Sequence, residues 1–203
     1  MNAGKITEYV FGTCMGLVGR FRGGLAHVNV LASLVFSGMT GSAIADASGL
    51  GKLEIDAMRK EGYDDGFSCA ITAASATIGP IFPPSIPMVV YAMLTGASVG
   101  DMFKSGMGIG IGIMIVLMIV VVVLAHKEQW PKDEIHFNLK EFCISFLKAI
   151  PALMLPIIIL GGIYSGLLTA TESSAIAVVW SFIAGMFIYR ELKWSDLFDI
   201  FVD

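Results

Sequence analysis

The sequence predicts an all-α membrane protein, centred on a helical hairpin that turns back inside the bilayer beside a helix broken by prolines. Three observations carry this. Of 203 residues, 56% are hydrophobic and only 15% charged, with a mean hydropathy of +0.78, whereas soluble domains carry roughly 25% charge. The charges are confined to short stretches that leave five long uncharged gaps. One gap is too long for a single crossing and holds four of the seven prolines.

The same composition excludes other classes. Thirteen basic against 17 acidic residues give a net charge of -4, which lacks the positive footprint of a nucleic-acid binder. Cys14, Cys69 and Cys143 stand singly in apolar or amphipathic stretches, without a CxxC pair, so buried thiols are expected rather than disulfides or a zinc site. The first 22 residues show no signal-peptide pattern, and the membrane segments are expected to direct their own targeting.

Residues 1–22 read as a short amphipathic helix lying at the interface. Residues 23–58 begin with an uncharged run, Gly23 to Ala45, whose middle, Ser37-Gly38-Met39-Thr40-Gly41-Ser42, places two glycines and three hydroxyls in six residues. A loop at 59–65 follows. The gap Gly66 to Gly100 holds 35 residues, about 50 Å as one helix against a hydrocarbon core of roughly 30 Å. Pro80, Pro83, Pro84 and Pro87 remove donors and clash with preceding carbonyls, so two half-helices joined by an irregular link are expected over 66–100. Residues 105–126, 149–171 and 173–189 are expected to cross, with Thr171-Glu172 as a turn. Residues 127–148 are expected as a loop and amphipathic helix, with Phe142, Phe146 and Ile150 on one face, and 190–203 as a tail.

The distribution of basic residues decides whether the first run crosses. With the later crossings counted, Lys127, Lys132, Lys140, Lys148, Arg190 and Lys193 share the cytoplasmic face with Lys52, Arg59 and Lys60, while Asp101 to Lys104 lies outside. If residues 23–58 form a re-entrant hairpin, 12 of the 13 basic residues are cytoplasmic; if Gly23 to Ala45 crosses, only 9 are. The hairpin is the expected arrangement, with its tip at Ser37 to Gly41 facing the proline-rich link.

Two irregular, hydroxyl-bearing segments meeting near the midplane form the arrangement of a secondary transporter site. Half-helix N-termini suit a carboxylate, and unwound carbonyls and hydroxyls suit a dehydrated sodium ion. Thr40, Ser42 and Ser85 are the candidate substrate-binding residues. Ser37, Gly38, Thr77, Gly79 and Pro83 are the candidate sodium ligands, and no other cofactor is called for. Beside this stands a plainer reading, in which small residues only let helices approach. It is preferred for Gly106, Gly108, Gly110, Gly112, Gly161 and Gly162. His27 and Asn29 are expected in interhelical hydrogen bonds, Asp46 in local structure, and Glu172 at a helix N-terminus.

An enzyme is not expected. A serine hydrolase at Ser42 would have only His27 within reach as base, and an aspartyl mechanism would have only Asp46 at membrane depth. No GxxxxGK[ST] phosphate loop occurs.

Several stretches carry a family resemblance: Gly23 to Ser33 (GGLAHVNVLAS), Ser37 to Asp46 (SGMTGSAIAD), Lys60 to Asp64 (KEGYD), Thr72 to Pro87 (TAASATIGPIFPPSIP) and Leu160 to Ala177 (LGGIYSGLLTATESSAIA). The chain resembles the large membrane subunit (DctM-like) of tripartite ATP-independent periplasmic (TRAP) transporters, departing at Ala170, where the family usually has proline. The resemblance implies a helical transporter fold of elevator type, with this chain as one half of an inverted repeat. It implies sodium-coupled import of organic anions such as dicarboxylates or sialic acids across the bacterial inner membrane. It further implies a periplasmic binding protein that delivers substrate and a small membrane subunit that braces the scaffold within the lipid bilayer. Against the family pattern the chain reads as a fragment holding one hairpin and one broken helix, expected not to transport alone. The alternative expectation is a truncated, non-transporting helical module that only packs with partner helices.

Overall fold

A computed structural model describes residues 5–128 and 139–189, with the side chains of 5, 6 and 139–141 left aside; the expected tail at 190–203 and residues 129–138 of the expected loop and amphipathic helix at 127–148 lie outside these residues. Among the described residues every regular element is helical. They are α1 (Lys5–Val18), α2 (Gly24–Thr40), α3 (Ala43–Gly49), α4 (Gly51–Lys60), α5 (Asp65–Ala76), α6 (Ile86–Thr95), α7 (Val99–Lys127), α8 (Leu139–Tyr164) and α9 (Ala170–Ile183), the last continued by a π-helical turn, Ala184–Ile188.

The middle of the bundle belongs to α2, which packs against α1, α5, α7 and α8 as well as the limb that follows it. It carries no acidic or basic residue on any face, and a helix with no charged face is stable only when surrounded. Its Leu25, Ala26 and Val30 meet Met58, Ile71, Ile78 and Val121 on one side. On the other, Val28, Ala32 and Phe36 meet Val10, Leu50 and Ala149. At 17 residues it is about 26 Å long, short of the roughly 30 Å hydrocarbon core.

The chain reverses immediately after α2. Gly41 closes the helix in the left-handed region (φ 61°), its N–H donating to Ser37 O at 2.9 Å, a conformation that glycine adopts without Cβ strain. Ser42 is extended and caps α3, accepting from Ala45 N. The returning limb divides into α3 and α4 at Leu50, yet Leu50 N–H donates to Asp46 O at 2.9 Å and Glu54 N–H to Leu50 O at 3.1 Å. Hydrogen bonding therefore runs on through the division.

Among the described residues, three helices are long and apolar enough to cross a membrane: Val99–Lys127, Phe142–Tyr164 and Ala170–Ile188. Their boundaries differ from the sequence reading in physically explicable ways. The α7 helix starts at Val99 rather than Ser105, because the Ser98 hydroxyl accepts from Asp101 N at 3.3 Å and caps it there; Asp101 and Lys104 are thus helical, 3.3 Å apart. The amphipathic segment and the crossing at 149–171 are one helix, α8, with Pro151 and Pro156 inside it. Membrane helices tolerate prolines that would end soluble ones where neighbouring helices, hydroxyl side chains or local helix adjustments re-satisfy the freed backbone groups. The turn lies before Thr171, since Thr169 caps α9 in a reciprocal capping box with Glu172. Trp180 Nε1 donates to Pro151 O at 2.8 Å and ties α9 to α8. Of the cysteines only Cys14 is buried; Cys69 and Cys143 are exposed on apolar helices and all three are free, which corrects the expectation of three buried thiols.

The hairpin tip and the proline link

The link between α5 and α6 runs from Thr77 to Ser85. Thr77, Ile78 and Gly79 make successive short turns, their N–H groups donating to Ala74, Ser75 and Ala76 carbonyls at 3.2, 3.0 and 3.1 Å. A cis Pro83-Pro84 bond lies further on. Ser85 then turns the chain into α6: its side chain accepts from Met88 N at 3.4 Å and donates to Pro80 O at 2.5 Å.

This link lies directly against the hairpin tip. A Cβ on Gly41 would collide with Pro84 O and stand 3.2 Å from Ser85 Cα, and one on Gly79 would stand 3.0 Å from Ser42 C and 3.1 Å from Ala43 N. Two glycines, one on each segment, thus let backbone touch backbone; a side chain at residue 41 would prevent this approach and one at residue 79 would strain it. On the far side, Gly106 and Gly110 of α7 give room to Met88, Ile81 O and Phe82, whereas Gly108, Gly112 and Gly161 have no neighbour within 4 Å. The packing role expected for all six of these glycines holds for Gly106, Gly110 and Gly162, the last set against Ser173 and Leu168.

The candidate substrate residues divide. Thr40 and Ser85 line one cavity of about 300 Å³ together with Met39, Phe103, Ile159 and Ser174. Ser42 is not among its lining residues and uses its hydroxyl to cap α3. The cavity is mostly apolar, with a few hydroxyls and the N-terminus of α6 at its edge, the mixture that orients a small polar ligand.

The candidate sodium ligands surround the same junction unevenly. Ser37 is fully buried and donates to Ser33 O at 2.6 Å. Gly38 packs on Pro156 and Phe82 at ordinary contact distance, 3.5 and 3.7 Å from where a Cβ would lie. Gly79 and Pro83 are buried. Thr77 is exposed and donates to Ala74 O at 2.6 Å, so the structure does not turn its hydroxyl into the junction. Each hydroxyl keeps lone pairs for a cation.

Sequence reasoning missed the polar seam beneath this junction. Asn29 Nδ2 donates to Thr72 Oγ1 at 2.7 Å, Ser75 Oγ donates to Asn29 Oδ1 at 2.8 Å and Ser33 Oγ to Ser75 Oγ at 3.0 Å, joining α2 to α5 as expected for Asn29. The signal was present in the four-residue spacing of Asn29, Ser33 and Ser37, which puts them on one helix face. His27 departs from its expected interhelical role, its Nδ1 lying 2.9 Å from Gly23 O of its own helix terminus. Asn29→Ala would strand buried partners and is expected to lower stability by about 1–3 kcal/mol, measured by thermal unfolding in detergent. Beyond the hairpin, Arg59 donates to Asp65 at 2.8 Å and holds that carboxyl below its ordinary range.

A family model described as "Tripartite ATP-independent periplasmic transporter, DctM component" matches residues 1–203. The sialic acid TRAP transporter permease protein SiaT of Haemophilus influenzae is 44% identical over 98% of this chain and 32% of its own length. The large permease SiaM of Vibrio cholerae is 40% identical over 98% of this chain and 47% of its own length. The C4-dicarboxylate large permease DctM of Pseudomonas aeruginosa is 37% identical over 97% and 46%. The chain therefore spans between a third and a half of the length of these relatives.

Proposed function

The chain belongs to the DctM component family of tripartite ATP-independent periplasmic transporters, and from that premise we propose that it is the membrane-embedded transport portion of a sodium-coupled importer of organic acid anions. As its relatives are transport permeases, it is no enzyme, and it is a multi-pass protein of the bacterial inner membrane. The relatives are named for sialic acid and C4-dicarboxylate, which share a carboxylate, and a carboxylate is the group this chain is proposed to carry. A periplasmic binding protein delivers the substrate, and a small membrane subunit braces the helices that stay fixed while the hairpin and link move as one body, elevator fashion.

The observation that supports this most is the backbone contact between the hairpin tip and the proline link. Unwound backbone inside a membrane is tolerated where it lines a cavity, and here it offers carbonyls of Gly38, Gly79 and Pro83 with the hydroxyl of Ser37 to a sodium ion. The anion sits in the cavity at Thr40 and Ser85, near the α6 N-terminus, where the helix dipole favours negative charge. Ser42 holds the tip in shape. No ATP is consumed, and the sodium gradient drives accumulation.

Uptake by the complete transporter carrying this chain tests the proposal. Ser37→Ala removes one ligand and is expected to raise the sodium concentration for half-maximal uptake about tenfold, the equivalent of about 1.4 kcal/mol, with the anion KM at saturating sodium little changed. Ser85→Ala is expected to raise the anion KM instead. Unchanged sodium dependence in Ser37→Ala would remove that residue from the site. A second reading, a helical module that only packs with partners, is favoured by the exposed Ile109, Val116, Ile119 and Val123 of α7. Calorimetric binding of sodium by the purified chain would count against it.

A further inference from the structure

We propose that Asp46 and Glu54, on the returning limb of the hairpin, make a proton-binding site in which at least one of the two buried carboxyl groups holds a proton at neutral pH. Asp46 is 2% exposed and Glu54 1%, and neither oxygen of Asp46 nor Oε1 of Glu54 has a hydrogen-bond partner. Hydrogen bonding runs unbroken from Asp46 through Leu50 to Glu54, which sets them two helical turns apart, about 12 Å along the axis. Ser33 faces Asp46, but its hydroxyl donates to Ser75.

The groups that surround the pair offer no cation. On α1, Cys14 faces Glu54. The titratable side chain of α2 is His27, bonded to Gly23 O. Asp65 and Cys69 of α5 are exposed, and on α4 the basic Lys52, Arg59 and Lys60 point to solvent, with Asp56 beside Arg59. Among the described residues no ion pair reaches Asp46 or Glu54, and no group of three His, Cys, Asp or Glu assembles to hold a metal.

Two buried, unpaired carboxylates cannot both remain ionised, because an isolated buried charge is far costlier than its neutral form. At least one of them must be neutralised. A hard metal ion needs a cage of several oxygens, and among the described residues no group of three His, Cys, Asp or Glu supplies one. A proton needs none: taken up from water, it bonds to one carboxylate oxygen and removes one charge. The bound O–H can donate to Ser33 Oγ, which retains a free lone pair, so the pair would be continuous with the seam joining α2 to α5. The site lies below the sodium junction and stands whether or not sodium is the coupling ion.

Infrared spectroscopy of the full chain in lipid nanodiscs, in light and heavy water, tests this. At neutral pH the carbonyl stretch of a protonated, buried carboxylic acid is expected, with a small downshift in heavy water, disappearing in strongly alkaline buffer. Labelling aspartate or glutamate with carbon-13 on the unmodified protein should shift that band with one or both labels. Asp46→Asn combined with Glu54→Gln should abolish it and should also remove the pH dependence of thermal stability expected of the unmodified protein. The label experiment does not depend on the variant folding. Absence of the band at neutral pH, or its persistence unchanged in the double variant, would overturn the proposal.

Discussion

Gly41→Val is expected to abolish sodium-dependent uptake and to lower the stability of the folded chain by about 2–6 kcal/mol, the sum of backbone strain and overpacking. Two independent penalties act at this residue. Its φ of 61° is a conformation that a β-branched side chain strongly disfavours, and the space where a Cβ would lie is taken by Pro84 O. That oxygen belongs to the proline link and cannot rotate away as a flexible side chain would. The tip would have to withdraw from the link, opening the junction where carbonyls are proposed to hold sodium. Uptake assays beside thermal unfolding in detergent check both parts, and wild-type behaviour in either would mean that tip and link are not in contact.

Gly79→Val should be nearly as damaging to transport, with at least a hundredfold loss of uptake rate, while Gly38→Ala should leave most of it. The contrast is steric. The Cβ of residue 79 would press at 3.0–3.1 Å on the backbone of Ser42 and Ala43, whereas that of residue 38 would meet Pro156 and Phe82 at 3.5–3.7 Å. The first displaces main chain by several tenths of an ångström, and interiors packed as densely as crystals transmit such strain; the second is ordinary contact. Because a backbone carbonyl is unaltered by an added methyl, Gly38→Ala also leaves the proposed ligand at residue 38 in place. Equal activities in the two variants would mean that the meeting of Gly79 with the tip has no functional weight.

Most of what positions this junction was written in local chemistry. Four prolines between Pro80 and Pro87 can only interrupt a helix, and Gly41-Ser42 pairs a helix terminator with a helix cap. Pro151 and Pro156 carry the same local signal yet lie inside α8, because whether a proline ends a helix depends on where its freed carbonyl goes, a tertiary fact. The charge-gap reading also displaced two helix starts that capping chemistry could have set: Ser98-x-x-Asp101 and Thr169-x-x-Glu172 both bear the signature of an N-terminus. The contact of Gly79 with Ser42 could not be read from either segment, since glycine serves turns, close approach and flexibility alike. Nor could the isolation of Asp46 and Glu54, because a carboxylate's partners come from elements distant in sequence. The hydroxyl of Thr77 shows the same gap, pointing away from the junction its spacing suggested.

The central claim is that the chain turns back between Gly24 and Lys60, so that the entry to α2 and the end of α4 lie on the same side of the membrane. Single cysteines at Arg22 and Lys52, both exposed, test it when labelled with a membrane-impermeant maleimide in oriented vesicles lacking the three native thiols. With a cysteine at Lys104 as the reference for the opposite face, Arg22→Cys and Lys52→Cys should react together from the cytoplasmic side while Lys104→Cys reacts only from the other. Labelling of Arg22→Cys and Lys52→Cys from opposite sides would contradict the account.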